Sequence, residues 1–147
     1  MSNYHIQEAT FDLPAILKDR TVNLFSLTDS GASEISFVIT RDLVKAGLDL
    51  ARYTERMLTE MEDRLHDFQL VARSTIQVGG RPATQVDCRW TSDGVKLFQR
   101  QVVCFVQAAP TSAPYALLIT STARQWNEKW ETMFAGILQN LRFREIA

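Results

Sequence analysis

The sequence is poor in the residues that mark metal binding, catalysis or membrane insertion. It has two cysteines and two histidines, whereas a structural zinc site draws on about four closely spaced ligands. His5 and His66 share no motif with Cys88 or Cys104, and the cysteines form no CxxC pair. We therefore expect no metal and no other cofactor. Apolar runs stop at about five residues, as in Val102-Val103-Cys104-Phe105-Val106, and a membrane-spanning helix needs about 20. Charge of one sign is not in excess: 16 basic against 17 acidic residues give a net charge of −1, which argues against nucleic acid as a partner. Gly79-Gly80 lead into Arg-Pro and a strand, not a helix start, so they are no phosphate loop. Nucleophile-elbow, HExxH and calcium-loop patterns are missing too. The pairs Glu60/Asp63 and Glu128/Glu131 read as solvated helix faces, and the chain is expected not to be an enzyme. The first residues, Met-Ser-Asn-Tyr-His, lack a basic stretch followed by an apolar one. That leads us to expect a cytoplasmic protein, with Cys88 and Cys104 reduced and buried.

What is present is an ordinary globular composition, 46% hydrophobic and 22% charged over 147 residues, expected to form one domain over residues 1–147. Strand patterns run over 4–13, 21–27 and 34–40. An amphipathic helix follows over 48–66, where Tyr53, Met57, Met61 and Leu65 recur at i, i+4. Further strands are expected at 69–78, 82–91, 95–107 and 115–122, with a loop at 108–114 where two prolines exclude central pairing. Gly79-Gly80 and Ser92-Asp93-Gly94 read as hairpin turns. A second helix is expected at 125–141, with Trp126 and Trp130 as core anchors. The order βββ-α-ββββ-α predicts an α+β fold, a largely antiparallel twisted sheet of about six to seven strands with two main helices. Asp87 reads as half of a cross-strand or surface ion pair rather than a partner of Arg89.

Several strands are apolar on both faces. Val22 and Leu24 oppose Phe25 and Leu27; Ile35, Phe37 and Ile39 oppose Ser36, Val38 and Thr40. One face must pack on the helices. The other mixes Val22, Leu24, Ser26, Ser36, Val38 and Thr40 with Gln99 and Gln101. Either the helices cover one face each, or part of the mixed face stays open for a partner. Met57 and Met61, a turn apart on the first helix, suit a surface that adapts to varied apolar shapes, though such a stripe is also ordinary core.

The strings Tyr4-His5-Ile6-Gln7-Glu8-Ala9, Asp19-Arg20-Thr21-Val22-Asn23-Leu24-Phe25 and Ser36-Phe37-Val38-Ile39-Thr40-Arg41-Asp42 resemble the Eag family. These are DcrB-like chaperones of bacterial type VI secretion effectors. Pro14, Tyr53, Leu65, Phe68, Gly80-Arg81-Pro82-Ala83, Asp87, Trp90, Leu97 and Arg100-Gln101-Val102 extend the resemblance over nearly the whole chain. It implies a cytoplasmic homodimer of DcrB/Mog1/PsbP-like fold that binds and shields the N-terminal transmembrane helices of a PAAR-containing effector without itself entering the membrane. It further implies a client groove at Val22, Leu24, Ser36, Val38, Met57, Met61, Leu65 and Gln101. Met57 and Met61 depart from the polar or small residues usual on this helix in the family. Because fold does not fix function, the competing expectation is a non-enzymatic binding or scaffold module of the same architecture with another partner.

Overall fold

The computed structural model describes residues 2–107 and 113–144. Residues 108–112, most of the expected proline loop, lie outside the described residues. The chain opens with a small hairpin, β1 (Ser2–His5) and β2 (Thr10–Leu13), paired antiparallel apart from the main sheet. This corrects the single strand expected at 4–13. The Ile6 N–H donates to the Ala9 carbonyl at 2.9 Å and closes the turn, and Tyr4 and Phe11 then meet ring to ring across the pair.

The main sheet has six strands in the order β3-β4-β8-β7-β6-β5, all neighbours antiparallel. They are β3 (Asn23–Ser26), β4 (Ile35–Leu43), β5 (His66–Val78), β6 (Arg81–Ser92), β7 (Val95–Val106) and β8 (Tyr115–Ala123). Two tight turns build the β5–β6–β7 meander. Gly79 and Gly80 sit at φ +56° and +80°, Asp93 and Gly94 at +48° and +78°, the left-handed pairs that match strand twist in two-residue hairpins. Gly79 is needed for space as well, because a Cβ there would meet the Phe143 ring at 2.6 Å. The expected α+β architecture is borne out.

The helices are α1 (Leu50–Arg64) and α2 (Glu128–Asn140). Asp49 caps α1 by accepting from the Arg52 N–H at 2.8 Å, and Asn127 caps α2 by accepting from the Trp130 N–H at 3.1 Å. Each cap satisfies a backbone donor that the first helical turn leaves free. Trp126, expected within the second helix, precedes it.

Each helix packs on a different face of the sheet. On the back face, α2 lays Phe134 against Phe37, Val78, Ala83, Val102, Cys104 and Ile119, with Trp126, Leu141 and Phe143 extending the cover, and Trp130 against Ile35 and Ala123. On the front face, α1 lays Tyr53 and Met57 against Val103, Phe105, Ala116 and Leu118. Cys88 and Cys104 are free and buried, as expected, and burial pushes each thiol up to about 11.

A charged network fixes α2 to the back face. Arg100 on β7 donates Nε and Nη2 to Asp87 on β6 at 2.8 and 2.9 Å, and Nη1 to Glu131 on α2 at 2.7 Å. Trp126 Nε1 donates to the same Glu131 oxygen at 2.6 Å, and the Arg100 guanidinium lies over the Trp126 ring. Asp87 is thus half of a cross-strand pair, while Arg89 stacks on Phe98. Glu131, expected on a solvated face, belongs to this network instead. The Arg100 bond, followed by the Trp126 bond, holds its carboxyl below the ordinary glutamate value.

A glutamate held down in this way stabilises the fold above its unfolded pKa, and the contribution fades as pH falls through the lower folded value. The Glu131 side chain is 50% exposed, so the effect is screened. We expect Glu131→Gln to lower stability by about 1 kcal/mol, about 3 °C in Tm, near pH 7. Melts repeated in increasingly acid buffer should show the difference from the parent shrinking toward zero.

Candidate functional site

Cross-strand register lines up the mixed front face in rows. Leu24 stands opposite Val38, Val38 opposite Thr120, and Thr120 opposite Gln101. One pleat away, Ser26, Ser36, Thr122 and Gln99 form a parallel row. Directly opposed residues of antiparallel strands point to the same face, so both rows share the front with α1. The helix contacts β5, β6 and β7 and, through Tyr53, reaches Ala116 and Leu118 on β8. The β3–β4 side of the rows is left open: Leu24 is 67% exposed, Val22 just ahead of β3 is exposed, and Ser36, Val38 and Thr40 are half-buried. Both alternatives read from the sequence therefore hold in part, since each helix takes one face and α1 leaves part of its own uncovered.

Where the rows run under α1, a cavity of about 760 Å³ opens. Met57, Met61, Leu65, Leu118, Trp90 and Gln101 line its interior, so four of the groove residues implied by the resemblance meet here. Leu24, Ser36 and Val38 lie farther out on the same face, and Val22 sits beyond the end of its strand. Met61 is only 7% exposed and Met57 half-buried against the Val103 cluster, so the methionine stripe is helix packing and cavity wall together. Gln99 and Gln101 are buried rather than open, each facing a threonine: Thr122 donates to Gln99 Oε1 at 3.4 Å, and Gln101 Nε2 donates to Thr120 at 3.0 Å.

Two polar atoms in this cavity wall are buried with no partner among the described residues, Trp90 Nε1 and Gln101 Oε1. One is a donor and the other an acceptor. The mouth is lined by charge: Arg20, Arg41, Lys45, Arg56 and Arg64 against Asp42 and Glu60. Tyr53 donates its hydroxyl to Asp42 at 2.7 Å, and burial, followed by this bond, raises the tyrosine pKa. Sequence reading did not single out the basic mouth, because its members are spread from the segment before β3 to the end of α1.

A second concavity was also not foreseen. Phe25, Leu27, Ile35, Phe37, Ile39, Met133 and Ile137 line a groove of about 450 Å³ between β3 and α2 on the back face. Phe25 and Leu27 are each 54% exposed. The available signal was that β3 is apolar on both sides while only its inner neighbours lie beneath a helix.

Among the described residues, no helix is long and apolar enough to cross a membrane. A family model described as DcrB matches residues 8–139. A Pseudomonas aeruginosa protein named Effector EagT6 is 36% identical over 122 residues, which is 82% of this chain and 80% of that protein. A crystal structure of a P. aeruginosa protein of unknown function, PA94, superposes with a TM-score of 0.76 at 31% identity, covering 99% of this chain and 98% of that one. LpqN of Mycobacterium tuberculosis, described as involved in cell envelope biogenesis, superposes with a TM-score of 0.55 at 18% identity over 86% of this chain and 78% of its own, a likeness of fold alone.

A buried donor without a partner costs about 1–3 kcal/mol. Trp90→Phe removes that donor and also some ring volume, two effects of opposite sign. We expect the variant's stability, measured by urea unfolding, to stay within about 1 kcal/mol of the parent, less than a large-to-small change elsewhere in the core would cost.

Proposed function

This chain belongs to the DcrB family, and on that premise we propose that it is a non-enzymatic, cytoplasmic chaperone of a type VI secretion effector. The Eag, DcrB-like resemblance read in the sequence is borne out by the family match and by the relative named Effector EagT6. The client is proposed to be a PAAR-containing effector, and the chaperone shields its N-terminal transmembrane helices from water. The single observation that carries this is the uncovered part of the front face, where Leu24, Val38 and Thr120 continue in register toward the cavity.

The physical task is well defined. An apolar helix out of lipid gains about 25 cal/mol for each Å² it hides from water. Leu24, Val38 and Val22 supply apolar surface, and Met57, Met61 and Leu65 wall the inner end. Ser36, Thr40, Thr120 and Thr122 keep the open face hydrated before the client arrives and offer hydrogen bonds to polar groups on its helices, as neighbouring helices do in a membrane. The protein acts as a homodimer in this proposal. Supporting the dimer are the outer edge of β3, which pairs with no strand among the described residues, and the exposed Phe25 and Leu27 beside it. Such an edge invites pairing with another chain.

Leu24→Glu should fold, because Leu24 is exposed, yet lose the client, because the charge would be buried unpaired against an apolar helix. Phe37→Ala, in the back-face core, should instead cost about 3–5 kcal/mol of stability. Thermal unfolding and co-purification of a co-expressed client, run on the same variants, check both. A Leu24→Glu protein that unfolds outright would show the position to be core, and one that still captures the client would put the binding surface elsewhere. Light scattering after gel filtration should give twice 16.7 kDa, and a monomer at micromolar concentration would count against the dimer.

A further inference from the structure

We propose that the basic mouth of the front cavity recognises an acidic segment flanking the client's apolar helix. This rests on the function proposed above and adds the chemistry of the client's flank. The chain as a whole is nearly neutral at −1, but the mouth gathers five basic residues against two acidic ones. The local balance is therefore opposite in sign to that of the whole protein. Asp42 is engaged by Tyr53, and Arg41 donates to Asn23 Oδ1 at 2.7 Å. Arg20, Lys45, Arg56 and Arg64 form no ion pair among the described residues. Four cations are thus free around one opening.

Geometry sets the order of contacts. The row from Leu24 through Val38 and Thr120 runs inward to Gln101 in the cavity wall, so a helix seated on it reaches the cavity that the cations line. A carboxylate-bearing flank complements the four free cations. A basic flank meets cations of its own sign and is disfavoured by similar amounts. The contacts at the rim are solvent-exposed, so they weaken as salt screens them, and they act on partner choice and capture rate more than on the apolar seat itself.

The test uses the full chain and a soluble carrier protein fused to a Leu/Ala-rich helix of about 20 residues, whose flank is acidic, neutral or basic. At low ionic strength the acidic fusion should bind about threefold to tenfold tighter than the neutral one, the sum of a few exposed pairs, and the basic fusion weaker than both. The acidic advantage should shrink as salt rises. Arg56→Glu combined with Arg64→Glu should reverse the preference while leaving capture of the neutral fusion intact, which shows that the fold and the apolar seat survive. Equal affinity for all flanks at every salt concentration overturns the proposal while leaving the chaperone reading standing. Capture of none of the fusions overturns both.

Discussion

An α-helix with its side chains is about 10 Å across, and neighbouring strands lie about 4.8 Å apart, so one helix roofs about two or three strands. This chain has six strands in its main sheet and one helix for each face. On the back face Trp126, Leu141 and Phe143 widen the cover of α2, and a groove remains beside β3 at Phe25 and Leu27. The front face has α1 alone, lying toward β5–β7. The open rows at Leu24 and Val38 and the cavity under α1 both follow from that shortfall in width.

The charged network works on the same problem from behind. Arg100 makes two bonds to Asp87 and one to Glu131, and stacks on Trp126. Removing one partner from such a buried pair costs far more than the intact pair contributes. The network therefore specifies where α2 sits more than it stabilises the fold.

The periodicities carried most of the architecture. Period-two runs gave the strands of the main sheet, and the i, i+4 recurrence of Tyr53, Met57 and Met61 gave α1, because those patterns are set by burial on one side of a single element. The alternation in β4 also placed Ser36 and Val38 on the face opposite Phe37. Less legible was whatever depends on two distant segments meeting. The hairpin at residues 6–9 has no glycine, asparagine or proline to announce it. Glu131 looks like any exposed helix glutamate until Arg100, far back in the chain, reaches it. The free donor on Trp90 is invisible locally, since a tryptophan's partner or lack of one is decided by side chains on other strands. Gln101 was placed on the correct face but expected to be open, and Thr120 on β8 takes up half its amide.

The order in which the sheet is strung has a temporal side. β4 gains its inner neighbour only from β8, with Ile35 against Ala123 and Leu43 against Tyr115. Contacts so distant along the chain form late, after the local β5–β6–β7 meander has paid its smaller loop-closure cost. The inner edge of β4 is therefore unpaired until β8 joins it, whereas the β3–β4 hairpin and the meander each close locally. The row from Leu24 to Gln101 is complete only once β8 lies between β4 and β7.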